Sequence, residues 1–480
     1  MQTKLSKAIE YFIYFYLAVP VIIFCIGWLK WWCATAVVAL IVFSVFLSVR
    51  ESGDYLAPKG IFKGRTEAIL GVLVVVFFWV LLSGIGSFVW VNSDQYVRKA
   101  IFRCLVEYDW PVMNEDGSRA LIYYIGFWLP SAVIGKIFGL SAGYAAQFVW
   151  AIIGILIVYY IISINRQKFT MWPLLLFIFF SGMDYLGVQF LRPALTDLSS
   201  AYHLEWWASD FQFSSFTTQL FWVFNQALPA WVTIAFIYIQ KKNSSIFFIL
   251  SLCIISSPFP FVGMIPIAIY CVFRNAKEQS CNVLRSKVVS IPNLIGVIAV
   301  GIISVLYLFG NASASVVGED QANVWEITSV ELVRYALFLL LEVGVFLILL
   351  YKRNKKNALY YIILIEFLLC PILHVGYGHD FCMRASIPAL FLLYLFVVDA
   401  LEAYAQEKNL KMLIPLVVAL LFGAITPYNE IHRTILRSFE CQKKHELIDA
   451  QEGNVESVLY GNNFSGATEN EQTLKKILFK

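Results

Sequence analysis

The sequence predicts an all-α, polytopic membrane helical bundle of about 13 transmembrane helices, with surface helices in the first outer loop and a small outer C-terminal tail. Three observations predict it. Of the residues, 60% are hydrophobic and only 14% are charged. Mean hydropathy is +0.72, which suits a chain surrounded by lipid rather than several soluble domains. Apolar runs of the roughly 20 residues needed to cross a bilayer recur along most of the length. None alternates like the strands of an outer-membrane barrel.

The first run begins at Tyr11. It is long and aromatic, a second run follows almost at once, and no small-residue cleavage pattern stands out, so it reads as a span and not as a cleaved signal peptide. Spans are expected near 11–29, 31–49, 68–91, 144–163, 171–190, 218–239, 246–257, 260–273, 288–309, 331–351, 358–377, 385–403 and 412–427. Between 246 and 273 the centre reads Ser256-Ser257-Pro258-Phe259-Pro260, which predicts two short helices or a re-entrant hairpin. There are nine cysteines, several of them inside apolar runs where Cys acts as a small hydrophobe. With no CxxC and no Cys/His cluster, a structural zinc site is not expected.

The net charge of +4 reports orientation more than an acidic partner. Lys4, Lys7, Arg50, Lys59, Lys63, Arg65, Arg166, Lys168, Lys241, Lys242, Arg274–Lys287 and Lys352–Lys356 all fall in loops of one side, provided Leu121–Gly139 does not span. The positive-inside rule therefore makes Leu121–Gly139 a surface or re-entrant helix, and Tyr123, Tyr124, Phe127, Trp128 and Pro130 are interfacial residue types. The N-terminus is then cytoplasmic and the C-terminus outside, in a multi-pass cell (plasma or inner) membrane protein. Segments 92–143, 191–217 and 310–330 lie outside with the tail. Three units follow: 1–66 with two additional spans, 67–427 as the main bundle, and 428–480 as the tail. No internal repeat or inverted symmetry is evident.

The polar residues that stand out gather on the outer side. Asp94 follows an apolar run directly, and a carboxylate at a helix mouth must stay hydrated or paired. If residues 94–106 are helical, Arg98 shares its face at i, i+4, as a surface ion pair or as a holder of Asp94 and a phosphate. The second outer loop carries Arg192, His203, Glu205, Trp206 and Trp207. Paired tryptophans suit an aromatic belt, and they equally suit stacking on a sugar ring. His203 and Glu205 fall on one side only in an extended segment, where they would bind a hydroxylated substrate or a metal. Asp184, in Ser181-Gly182-Met183-Asp184-Tyr185, is an acid inside a span, functional by default or a buried structural partner; Glu342 and Glu366 rank below it. Asp380 and Arg384 close a short outer turn, and Arg384 suits a lipid-linked phosphate or simple snorkelling to headgroups. There is no Walker A loop, no GxGxxG before a soluble helix and no HExxH, and no nucleic-acid partner is expected.

These segments together resemble the GT-C class of integral membrane glycosyltransferases, the superfamily of protein O-mannosyltransferases and lipid A aminoarabinose transferases. The likeness rests on four features: Asp94 entering the first outer loop, Leu121–Pro130 closing with Lys136-Ile137-Phe138-Gly139, the span from Tyr144, and Arg384 with Pro388 at the start of a late helix. It covers roughly 68–400. Many members carry two adjacent acids after the first core span, whereas here the pair is Asp94-Gln95, so a divalent metal is left open and no other cofactor is called for. The resemblance implies inverting sugar transfer at the outer face, from a polyprenyl-phosphate-linked donor to a glycan, lipid or protein acceptor, in cell-envelope or surface glycan synthesis. It implies Asp94 as general base, Arg384 with Arg98 or Arg192 on the leaving phosphate, and His203, Glu205, Trp206 and Trp207 around the sugar.

Three other readings compete. An O-antigen or capsule polymerase or ligase keeps the reaction and changes the acceptor, but its paired arginines are not matched by the scattered ones here. A transporter or lipid flippase needs a polar pathway through the midplane. A non-enzymatic assembly subunit would make the acids structural.

Overall fold

The computed structural model describes all residues except 1, 52, 54, 59, 192–202, 210, 284, 311–328, 374–379, 444–452, 462, 463 and 468–477. Arg192 lies outside the described residues. The helices, in chain order, are α1 (Gln2–Trp28), α2 (Trp31–Arg50), α3 (Thr66–Leu82), α4 (Ser93–Glu107), α5 (Leu129–Phe138), α6 (Leu140–Arg166), α7 (Trp172–Phe179), α8 (Asp184–Leu191), α9 (Phe216–Ile239), α10 (Ile246–Ser251), α11 (Pro258–Glu278), α12 (Ile291–Leu308), α13 (Ser329–Asn354), α14 (Ala358–Leu369), α15 (Asp380–Ala385), α16 (Ile387–Gln406), α17 (Leu410–Gly423), α18 (Ile425–Lys443) and α19 (Val455–Tyr460). Two three-residue strands, β1 (Arg119–Leu121) and β2 (Ser465–Ala467), pair antiparallel.

Among the described residues, 10 helical segments are long and apolar enough to cross a bilayer: α1, α2, α6, α7–α8, α9, α11, α12, α13, α16 and α17–α18. The chain is an all-α, multi-pass membrane protein. Its exterior is apolar, with Leu70, Val74, Phe77, Phe78, Val297 and Ile298 exposed, while polar Ser163, Thr233, Asn275 and Asn293 are buried inside. That inversion is expected when the solvent is lipid.

Three expected spans are shorter than read. The run at 68–91 ends at Leu82, because Gly84, Gly86 and Ser87 adopt positive φ and turn the chain. The run at 246–257 is helical only to Ser251 before Ser257-Pro258 starts α11. The run at 358–377 is helical from Ala358 to Leu369. Within Leu121–Gly139 the chain forms β1, a single turn Gly126–Trp128 and the ten-residue α5. A helix that short covers ~15 Å, half of a hydrocarbon core. Gly139, at φ 91, then reverses the chain into α6.

The expected tail starts as part of the bundle. Helix α18 continues α17 and packs against α9, α7 and α8, with Glu430, Arg433 and Thr434 buried.

The two ends of the bundle differ. At one, Lys242 pairs with buried Glu10 (3.2 Å), Lys287 with Glu51 (3.1 Å), Arg353 with Glu407 (2.8 Å) and Arg166 with Glu402. At the other lie α4, β1, α15, α18 and the described tail, beside Trp28 at the end of α1.

A break in α9 prepares that second end. Val223 is non-helical (φ −134, ψ 32), which interrupts the ladder bond from the Asn225 amide to the carbonyl four residues back. The carbonyl of Phe221 is thereby available, and it accepts from Asn92 Nδ2 (3.0 Å) and Gln95 Nε2 (2.8 Å). The N-terminus of α4 is thus tied to the kink.

Candidate functional site

Helix α4 begins at an Asn92 cap whose side chain accepts from the Gln95 amide at 3.1 Å. Asp94 falls in the first turn, where the helix dipole favours a negative charge. One turn on, Arg98 Nη1 lies 3.2 Å from Asp94 Oδ2, so the i, i+4 pair forms as expected. Its partners are unlike: the Arg98 side chain is 6% exposed and that of Asp94 is 47% exposed. Asp94 therefore keeps an open side. Beneath it, Arg98 Nε points at Asn225 Oδ1 on α9 (3.4 Å), and Arg98 and Lys99 line a small cavity with Gln95 and Gln147.

Arg384 comes from the other end of the sequence, on α15. It is buried, paired with Asp380 (2.9 Å), and donates from Nη1 to the Tyr124 hydroxyl (2.7 Å) with the guanidinium over the Tyr124 ring. Burial works against its charge, but Asp380, Tyr124, Tyr123 and Asp94 outweigh that and hold it firmly protonated. Burial and then Tyr124 push the Tyr123 hydroxyl upward, while both Arg384 and Arg98 pull it back. Asp94, Arg98, Tyr123, Tyr124, Asp380 and Arg384 thus form one electrostatic group. Two buried donors, Arg384 Nε in this group and Nδ2 of Asn225, the α9 partner of Arg98, meet no acceptor among the described residues. Leaving such a donor unmet costs about 1–3 kcal/mol, a cost an anion's oxygens would remove.

The second-loop residues form a separate cluster. His203 lies 2.7 Å from Glu430 and 3.2 Å from Glu205, with all three buried. Gln212 Nε2 (2.7 Å) and the Ser215 amide (2.9 Å) donate to Glu205, and Trp222 Nε1 (2.7 Å) and Arg433 donate to Glu430. Burial lowers the His203 pKa, but Glu430 and Glu205 more than reverse this and raise it to about 10. Every carboxylate oxygen here has a donor, so the cluster is a clamp between the loop and α18. Trp206 is 44% exposed beside it, whereas Trp207 is buried.

Trp207 serves a third group. Its Nε1 donates to Asp184 (3.2 Å) and Glu342 (3.0 Å). Asp184 also accepts from Ser181 (3.0 Å) and Thr426 (2.8 Å). Glu342 sits in the π-helical turn Leu340–Gly344 of α13, whose Leu341 carbonyl accepts from Met183 (3.1 Å). Gly187 makes room for the indole, since a Cβ there would lie 2.3 Å from it.

The structure therefore gathers Asp94, Arg98, Asp380 and Arg384, and holds His203, Glu205, Asp184 and Trp207 in two neighbouring buried networks. Trp207 turns its N–H inward to both acids, and its ring lines a cavity with Leu191, Val330, Val333 and Arg334. Among the described residues no group of three or more His, Cys, Asp or Glu side chains is arranged to hold a metal. Sequence reasoning missed Tyr124, Asn225, Glu430 and Arg433 as site partners. Tyr124 read as an interfacial aromatic, and Glu430 lay within the expected tail. Compared with known proteins, the chain matches no family model, no curated protein and no solved structure.

Proposed function

We propose that this protein is an inverting membrane glycosyltransferase that moves a sugar from a polyprenyl-phosphate-linked donor to an acceptor hydroxyl at the outer face. The observation that carries this reading is that one half-exposed carboxylate, Asp94, pairs with buried Arg98 at 3.2 Å and acts electrostatically on a second buried guanidinium, Arg384, whose Nε meets no acceptor among the described residues. A phosphate is the anion that two guanidiniums and a Tyr hydroxyl suit best.

Asp94 takes the proton from the acceptor hydroxyl. The freed oxygen forms a bond to the anomeric carbon, the bond from that carbon to the phosphate oxygen breaks, and the leaving polyprenyl phosphate carries away the electron pair. Arg384 and Arg98 stabilise its developing charge through charge-assisted hydrogen bonds. The exposed Trp206 is the remaining aromatic face for a sugar ring, with the His203 clamp fixing its place. The lipid-exposed flanks admit the polyprenyl chain from the side. The basic end of the bundle faces the cytoplasm, following the positive-inside rule. Gln95, not a second acid, follows Asp94 in the chain, and Asp380 is engaged by Arg384 at 2.9 Å.

Purified protein, a polyprenyl-phosphate sugar and a glycan or peptide acceptor test the reading. Asp94→Asn is expected to stop transfer while leaving donor binding and melting temperature near wild type. Full activity in that variant removes the base assignment. Movement of a lipid across proteoliposomes without covalent transfer replaces the reading with a transporter.

A further inference from the structure

We propose that the C-terminal tail is a positioning element of the phosphate site, with Phe464 as the residue through which it acts on Tyr123, Tyr124 and Arg384. The inference rests on the phosphate reading above.

The tail's described pieces touch both halves of the site. Strand β2 pairs with β1, Arg119 opposite Ala467 and Leu121 opposite Ser465. Arg119 reinforces the pairing, donating from Nε to Ser465 Oγ (2.9 Å) and from Nη2 to the Ser465 carbonyl (3.1 Å). The Ile122 amide donates to the Phe464 carbonyl at 2.9 Å, so the tail grips the chain one residue before Tyr123. The Phe464 ring then meets Tyr123 edge-on at 5.3 Å, Tyr123 packs on Tyr124 at 3.8 Å, and Tyr124 accepts from Arg384.

The other half of the site is held by the same segment. Helix α19 packs on α4, the carrier of Asp94 and Arg98, with Val458 and Leu459 buried. Gly453 lies so close that a Cβ there would be 2.1 Å from the Tyr96 carbonyl. Beyond β2, Phe479 bridges to Leu29 and contacts Phe24, fastening the far piece to α1.

The need for such a strap is physical. Arg98 and Arg384 repel each other, sit on short elements far apart in sequence, and must face one anion. A site held even 1 Å off its productive geometry loses much of its effect. The spans already hold each half separately, α4 through the Phe221 carbonyl of α9 and the Tyr123 segment through the Tyr307 hydroxyl of α12, which meets the Tyr123 amide at 3.3 Å and the Leu121 carbonyl at 3.1 Å; the tail adds a contact to both.

The test measures binding, not turnover, of a short-chain polyprenyl monophosphate to the full chain in detergent, together with melting temperature. Phe464→Ala is expected to weaken binding about tenfold, with Phe464→Tyr restoring it and melting temperatures staying close. Gly453→Val, which pushes α19 off α4 at a separate point, is expected to weaken binding too. Phe479→Ala loosens the strap only at α1 and is expected to have the smaller effect on affinity. Wild-type affinity in Phe464→Ala overturns the proposal, as do losses of affinity and melting temperature that are equal in Phe464→Ala and Phe479→Ala, since these would mark a purely structural tail. A wild-type protein that does not bind the phosphate at all overturns the glycosyltransferase reading instead, and is distinguishable from either of those results.

Discussion

Asp94 is poised by two different neighbourhoods. The helix N-terminus and Arg98 hold one side of its carboxylate, and its other side stays exposed. Its loss as a base is expected to cost about 10²–10⁴-fold in turnover, read as kcat for Asp94→Asn against wild type. Arg384→Lys keeps the charge but gives up the planar, two-sided contact with Asp380 and Tyr124. It is expected to weaken polyprenyl-phosphate binding about tenfold or more, measured by titration with a short-chain analogue; unchanged affinity would remove Arg384 from the site. The Asp94–Arg98 pair was legible because i, i+4 on a helix is a local rule. The partner of Arg384 was not, since Tyr124 lies 260 positions away and no local pattern links them.

At the scale of elements, departures from regular helix build the site. The kink in α9 supplies the Phe221 carbonyl to α4, and the π turn in α13 brings Glu342 to Trp207. Gly84 ends α3 at φ +83, where a Cβ would also press on Val91 at 2.9 Å. Gly84→Ala is expected to destabilise by about 1 kcal/mol or more, seen as a lower melting temperature in detergent. The His203 clamp adds a pH dependence. Its imidazole is raised from 6.5 to about 10 in the folded chain, so the stabilisation it gives is complete below pH ~6.5 and is lost as pH rises through about 10. Wild-type melting temperature should fall over that alkaline range, and His203→Gln should flatten the fall. The span lengths misread from sequence have the same origin. Hydropathy sees Leu81 to Val91 as nearly continuous, while backbone turns at Gly84 and Gly86 decide where the helix stops.

Across the whole molecule, the two ends have opposite characters, one basic and cross-paired, the other aromatic and acidic-basic in patches. If the basic end is cytoplasmic, cysteines placed at the exposed Asp116 and Lys168 should label from opposite sides of intact cells, Asp116→Cys from outside. Labelling of both from one side would make the Leu121–Gly139 segment a span and invert half of the bundle. Composition and hydropathy alone were enough for the membrane class and most of the long apolar helices, because partition between water and lipid is read residue by residue and needs no partner. Which polar groups meet was decided only by folding: His203 finds Glu430 across 227 positions, Trp207 turns inward to two acids, and the tail returns to β1. Such contacts join residues brought together by helix packing and helix breaks, and their energies depend on distances that no linear pattern encodes.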